Sequence, residues 1–362
     1  MNFLRLVAIT WSVISRRLRI KSYLTLKFSL LRRYYLARKY LSFGFFLISS
    51  PLNLTTNWAS RKSTFSWKYL RKKATNHPTT FNEKVLYRMA YDRNELFKII
   101  SDKLLVRNYV RDIIGEQYLT KLYASAENFN EINMDTLPES YVAKVNHGSG
   151  GLLGVWSGTP KGISLPTDTK EIRWARYWVH PENFNKDLAL KMFDFWINSD
   201  YGTQSLRSPE WAYQNMERRI LIEETLLDDK GGLATQLNFW VFSGKVRMIS
   251  VAGRDDAGHH TFAFFTKDWV RIEMTIFIKK IYKTTSPVPL KPENLLQMIK
   301  VAEQLSGNLD FVRVDLYNTK ERIVFGEMTL YPTAGECVYI PKIWTETMGS
   351  WWNLDLKMSS YA

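Results

Sequence analysis

The stretch YVAKVNHGSGGLLG, from Tyr141 to Gly154, restricts the fold more than any other part of the chain. Its first five residues have the β-branched and aromatic content of a short strand, and Gly148, Gly150, Gly151 and Gly154 then fall within seven positions. Glycine has no Cβ and tolerates positive φ, so successive amides of such a loop can converge on one anion. Lys144, just before the loop, would bring its ammonium to the same phosphates. A glycine-rich hairpin beside a surface lysine accounts for the same letters without a ligand. A dinucleotide-binding turn fits worse: the spacing is not GxGxxG, no helical pattern opens directly after it, and it lies mid-chain.

With 362 residues the chain suits one large domain or two of ordinary size, and 45% hydrophobic with 14% aromatic residues excludes general disorder. Cys337 is the single cysteine, so neither an intrachain disulfide nor a cysteine-based zinc site can be built. A reducing compartment is the simpler assumption. The formal charge of +15 looks like a nucleic-acid signal until it is located. Residues 1–82 carry 16 Lys and Arg with no Asp or Glu, which leaves −1 for residues 83–362. The folded body is near neutral, and no nucleic-acid partner is expected.

Residues 1–80 read as a basic amphipathic extension. Leucines, isoleucines and phenylalanines interleave with Arg and Lys, and no window reaches the ~18 to 20 apolar residues of a spanning helix. A segment lying on an anionic inner-leaflet surface through residues 1–75 fits this pattern, which predicts a cytoplasmic protein peripherally bound to membrane. FGFFLISSPLNL, from Phe43, would be a second shallow anchor. An organelle transit peptide and a docking surface for an acidic partner share the same composition.

From Phe81 the pattern becomes globular, and residues 81–140 are expected to be a helical region. Val85, Met89, Leu96, Ile99, Ile100, Leu104 and Val110 recur at helical spacing over two or three helices, with Asp92 and Ser101 as N-caps and Gly115 as a stop. Lys103 alone reads as a solvated helix lysine. Residues 185–196 read as an amphipathic helix, RILIEETLLDD as a buried strand running into an acidic turn, and LNFWVFSGKVRMISVAG as a hairpin about Ser243 and Gly244. A helix is expected over 292–305, with Pro292 in its first turn and Gly307 beyond its end.

FVRVDLY and RIVFGEMTLYP predict a further hairpin. Its alternation puts Arg313 and Asp315 on one face, which is costly in a hydrophobic strand unless that face lines a polar site. Glu327 would lie beside Asp315, and paired carboxylates suit Mg²⁺, which takes hard oxygen ligands and keeps waters and phosphates in its shell. An Arg313–Glu327 ion pair is the structural alternative. YPTAGE, from Tyr331, is expected to close over the site. His259 and His260 lack the ligand spacing of a metal site.

Taken together, these segments resemble the TupA-like branch of the ATP-grasp enzymes, associated with teichuronopeptide and other surface-polysaccharide pathways. The resemblance runs from Phe81 to about Tyr331 on FNEKVLYRMAYDRNELF, SDKLLVRNYV, IGEQYLTKLY, YVAKVNHGSGG, EWAYQNMERRILIEETL, FSGKVRMI, DFVRVDLYN and FGEMTLYPTAG, in the family's order. It implies an α+β fold with two lobes of mostly antiparallel sheet holding ATP between them: a small lobe with the glycine loop over 141–222 and a large lobe with the metal site over 223–362. It further implies Lys103 and Lys144 on the ATP phosphates, Gly148, Gly150 and Gly151 as the loop over them, and Glu223, Glu224 and Leu226 in a hinge reading adenine. Asp228 or Asp229 would accept from the ribose, Arg313 would face the transferred phosphoryl group, and Asp315 and Glu327 would hold Mg²⁺ with Thr329 as a weaker ligand. Arg254 and His259 fall where the branch carries basic residues for an acidic substrate. Asn238 stands where a lysine is expected, which leaves the site one charge short.

The activity implied is ligation of a carboxylate to an amine through an acyl phosphate, with ATP and Mg²⁺ required and a small molecule or glycan as substrate. Phosphoryl transfer asks a protein for positioning and positive charge, which these residues supply. The rivals are a glycosyltransferase of the same pathways, an ATP-grasp kinase, and a non-catalytic nucleotide-binding protein.

Overall fold

The computed structural model describes residues 77–201, 210–254, 260–278 and 281–354. The expectations for residues 1–75 and for His259 lie outside the described residues. The first helices are α1 (Phe81–Tyr91), α2 (Leu96–Ser101) and α3 (Val106–Ile114). A reciprocal capping box starts α1: the Thr80 hydroxyl accepts from the Glu83 amide, and Glu83 Oε2 accepts from the Thr80 amide at 3.0 Å. Asp92 and Ser101 are not N-caps. Asp92 closes α1 and Ser101 is the last residue of α2, while Asp102 leads into α3 by accepting from the Leu104 and Leu105 amides at 2.8 and 3.2 Å. Gly115 stops α3 at φ +101°, a conformation that favours glycine.

The first sheet contains β1 (Leu122–Ala126), β2 (Tyr141–Val145), β3 (Leu152–Val155), β4 (Arg176–Val179) and β5 (Ile220–Glu224) in the order β1-β5-β2-β3-β4. Its pairs are antiparallel except β3 with β4. Along β2 the residues alternate in burial: Tyr141, Ala143 and Val145 are buried, and Val142 and Lys144 half-buried. Helix α4 (Lys186–Asn198), capped by Asn185, packs Ala189, Met192, Phe193 and Trp196 into the core with the buried set. Val142 and Lys144 lie on the opposite face of the sheet from this set.

The second sheet follows from β6 (Gln236–Phe242), β7 (Lys245–Arg254), β8 (His260–Phe265) and β9 (Arg271–Ile272). After β10 (Thr275–Phe277) come β11 (Lys283–Thr284), α5 (Leu295–Ser306), β12 (Phe311–Asn318), β13 (Ile323–Thr329), β14 (Val338–Ile340) and α6 (Ile343–Trp351). The strand order is β11-β8-β7-β6-β12-β13 with β9 on β8, and β10 pairs with β14 as a separate ribbon. The β6–β7 turn has Ser243 at φ +48° and Gly244 at φ +74°, as a two-residue hairpin turn demands. Pro292 lies one turn before α5 rather than in it, its carbonyl accepting from the Leu295 amide at 3.2 Å.

Helices α1–α3 and α5 share one core with the second sheet, so residues 81–140 divide between the two sheets: the helices join the second and β1 the first. Phe81 stands at the centre of this core, its ring centroid 5.1 Å from Phe311 and 5.6 Å from both Trp240 and Trp352. Arg88, fully buried, donates to the Phe311 carbonyl at 2.8 Å and to Asp310, with Trp352 stacked 4.4 Å from its guanidinium. Lys84 donates to the Gly349 carbonyl at 2.9 Å, and a Cβ on Gly349 would fall 2.2 Å from the Thr79 carbonyl oxygen, so α1 and α6 are sewn together. The turn Pro332–Gly335 docks on α1, where a Cβ at Gly335 would be 3.0 Å from the Asn82 carbonyl oxygen.

Candidate active site

Leu122, where the chain enters the first sheet, is in register with Glu223, where it leaves, so both crossings between the sheets lie at one end of the β1–β5 pair. The segment from Glu223 to Leu226 carries the second of these crossings. Glu224 pairs by backbone and side chain with Lys121, its carboxylate accepting from the Lys121 amide at 2.9 Å and from the Arg322 guanidinium, which ties the crossing to the β12–β13 turn. The Leu226 carbonyl accepts from the Ala234 amide at 2.9 Å. Asp228 spends Oδ1 on the amides of Lys230 and Gly232 at 2.9 and 2.8 Å, making the turn and leaving Oδ2 outside those bonds.

The Glu223 side chain has a role that sequence reasoning missed. Buried in β5, it takes the Lys144 ammonium at 2.6 Å and the Arg107 guanidinium at 3.1 Å. Arg107 is in turn held by the Thr120 carbonyl at 2.7 Å. Lys144 is thus oriented by a carboxylate that two cations share.

The glycine loop takes the backbone its composition predicts: Gly148, Gly150 and Gly151 have φ of +82°, +90° and +61°. A Cβ on Gly148 would lie 2.5 Å from the Tyr201 ring, and one on Gly150 would lie 2.7 Å from the Trp174 backbone. The loop is joined to the helices through Asn146, whose amide nitrogen donates to Asp102 at 2.8 Å and whose carbonyl accepts from the Lys103 amide at 3.1 Å. The Lys103 ammonium donates to the Gly148 carbonyl at 2.5 Å. It is no solvated helix lysine: burial lowers its pKa to about 8, with Lys144 and Arg176 pushing the same way and Glu327 opposing. His147 is buried and held neutral, its pKa pulled down to about 4 by burial and Arg218. Its Nε2 stands 3.2 and 3.3 Å from the Trp196 and Ser199 carbonyl oxygens, so the Nε2–H tautomer is assigned.

On the second sheet Asp315 is in register with Glu327 across β12 and β13. Arg313 serves both: Nε and Nη2 reach the two Asp315 oxygens at 2.7 and 2.6 Å, and Nη2 reaches Glu327 Oε1 at 3.0 Å. The ion pair weighed as the structural alternative is therefore present, and it includes Asp315. Thr329 donates to Glu327 at 2.9 Å and Gln236 to Asp315 at 2.7 Å. Asn238, opposite Asp315 on β6, accepts from Gln236 at 2.8 Å. Burial raises Asp315 to about 7 against the pull of Arg313. For Glu327 burial is outweighed by Arg313, Lys103 and Arg176, which hold it near 2.

These carboxylates fit a hard divalent cation. A single guanidinium nitrogen already lies 2.6 Å from one and 3.0 Å from the other, so both aim at one point that accepts positive charge. Among the described residues no group of three or more His, Cys, Asp or Glu is placed to hold a metal ion.

Lys103 thus joins the glycine loop, Arg313 and Thr329 join the two carboxylates, and the two groups are coupled by the fields of Lys103 and Arg176 on Glu327 and of Lys144 on Lys103. Arg254 ends β7 opposite His260, and its side chain is outside the described set, as is His259. Glu210 is a further carboxyl that sequence reasoning missed. Burial and the charge of Glu327 raise it to about 8, and its field acts on Tyr201, Tyr213 and Tyr331. Arg107, Arg176 and Glu210 gave no signal beyond that of ordinary surface charges.

No curated protein matches this chain. Among solved structures, a D-alanine–D-alanine ligase from Bacillus anthracis aligns with a TM-score of 0.33 and 16% identity, over 64% of this chain and 57% of its own. D-alanyl-alanine synthetase A from Vibrio cholerae O1 biovar eltor str. N16961 aligns with a TM-score of 0.36 and 10% identity, over 72% and 62%. ATP-grasp ligase PsnB, complexed with a phosphomimetic variant of minimal precursor, Mg and ADP, gives 0.35 and 9%, over 71% and 60%. The chain spans less than two thirds of each of these structures. No helix among the described residues is long and apolar enough to cross a membrane. The family TupA-like ATPgrasp matches residues 83–352, about three quarters of the sequence, and the chain belongs to that family.

Proposed function

We propose that the protein is an ATP-dependent carboxylate–amine ligase. The observation that supports this reading is the electrostatic coupling of the two sheets: Lys103, bonded to the glycine loop at the Gly148 carbonyl and under the field of Lys144, acts on Glu327, which shares Arg313 with Asp315. A substrate carboxylate oxygen attacks the γ-phosphorus of ATP, the bond to the ADP oxygen breaks, and an acyl phosphate forms. An amine then attacks the acyl carbon, the carbon–oxygen bond to phosphate breaks, and the amine gives up a proton as the amide forms. Lys103 and Lys144 hold the phosphates, the loop amides shield them from water, and Arg313 neutralises charge on the transferred group. A Mg²⁺ ion held by Asp315 and Glu327, with Thr329 beside them, would supply further charge neutralisation.

Membership of the TupA-like family supports a substrate in a cell-surface polysaccharide, a uronic acid or an amino-acid substituent. The basic residues 1–75 support action at the inner leaflet of the membrane, in the cytoplasm. The test is phosphate release from ATP in the presence of candidate glycans and amino acids, with hydroxylamine added in place of the amine to trap the acyl phosphate as a hydroxamate. Release that needs both co-substrates, with an amide in the mass spectrum, is the expected result. A phosphorylated product with no amide would make the protein a kinase, and nucleotide binding without turnover would make it a non-catalytic binder.

A further inference from the structure

The register of the first sheet lines up Leu221, Lys144, Leu152 and Arg176 in one row across β5, β2, β3 and β4. In-register partners present their side chains on the same face, so Arg176 shares its face with Lys144, roughly 10 Å away across two strand spacings. Leu152, the first residue after the glycine loop, stands between them. The neighbouring row on this face is Glu223, Val142, Gly154 and Trp178. It ends in a neutral platform, because the missing Cβ of Gly154 lets the Trp178 ring lie across it: a Cβ there would be 2.2 Å from the ring. One row is therefore suited to an uncharged base and the other to its phosphates.

The cations of the site differ in what they already hold. Lys144 is paired with Glu223, Lys103 donates to the Gly148 carbonyl, and Arg313 bridges Asp315 and Glu327. Arg176 is exposed and makes no hydrogen bond or ion pair with a described residue. Its field nonetheless reaches Glu327 and Tyr317 on the second sheet and Lys103 at the loop. A guanidinium at that place offers a fork of donors to phosphate oxygens at no cost in broken pairs.

We propose that Arg176 is a third phosphate-binding cation of the nucleotide site, contacting the terminal phosphates from the β4 side. It supplies the positive charge that Asn238 does not. This assignment rests on the ATP reading above.

The test is calorimetric titration of the full chain with AMP-PNP and with AMP, in Mg²⁺ buffer, for the wild type, R176Q and R176K. Because Arg176 is exposed and unpaired, R176Q should keep the wild-type melting temperature. It should bind AMP-PNP roughly tenfold more weakly, the worth of a charge-assisted contact, with AMP affinity changed less than about twofold and R176K in between. Equal AMP-PNP affinity in wild type and R176Q would overturn the assignment, as would an equal loss for AMP. A wild type that binds no AMP-PNP would overturn the ATP reading itself, and Arg176 with it.

Discussion

Lys103 shows what burial does to a single group. Its pKa of about 8, well below the ordinary lysine value of 10.5, means that its charge is lost just above neutral pH. Phosphate binding favours the charged form, so AMP-PNP affinity should be full below pH 8 and fall above it, by at most about tenfold per pH unit. The stability of the protein has the opposite sign. The unfolded chain keeps the proton between about 8 and 10.5, so burying Lys103 costs most below pH 8 and that cost shrinks through this window. Titrations between pH 6.5 and 9.5 check the first statement; a wild-type profile as flat as that of K103M would refute it. None of this was legible from the letters around Lys103. The carbonyls of Asn146 and Gly148, which surround its ammonium, come from 43 and 45 residues away, and a lysine among helical residues looks solvated. Arg107, Arg176 and Glu210 were hidden for the same reason, since a lone charge in a sequence does not reveal whether it meets another.

Among the elements, the glycine loop was read with the right conformation but an incomplete cause. The composition called for positive φ near an anion, and the three glycines have it. Their lack of side chains also answers Tyr201 and the Trp174 backbone, which press on the loop from beyond it in sequence. Gly150→Ala therefore meets both a disfavoured φ of +90° and a backbone contact of 2.7 Å. It should destabilise the protein by about 1–3 kcal/mol and weaken AMP-PNP binding more than tenfold; thermal melts and calorimetry on the variant decide this, and wild-type values in both would show that the loop tolerates a Cβ. The β12–β13 hairpin was the most legible element. Alternation put Arg313 and Asp315 on one face, but the turn register alone would set Gly326 opposite Asp315, and an irregularity between Asp315 and Leu316 that the letters do not announce brings Glu327 there. The docking of the YPTAGE segment on α1 was not legible, because that partner lies some 250 residues earlier and leaves no trace in local pattern.

At the scale of the whole molecule the charge is partitioned: 16 basic residues without an acid in residues 1–82, and a body of net −1. If the extension holds the enzyme on an anionic membrane, deleting residues 1–75 should abolish cosedimentation with vesicles containing phosphatidylglycerol, while vesicles of neutral lipid recover neither form. Equal recovery of the truncated and full chains would dismiss that placement. Strand periodicity and turn residues gave the individual hairpins, and the two-sheet architecture came only from the family resemblance, which did not say how the helices divide between the sheets. Arg88, a basic residue on an amphipathic helix, gave no sign that it is fully buried among Asp310, Phe311 and Trp352. Its neighbour in purpose is the contact of Thr79 and Lys84 with Gly349. Where the folded body begins and where it ends are consequently one place. Among the described residues, any change that frees α6 therefore also unseats the start of α1.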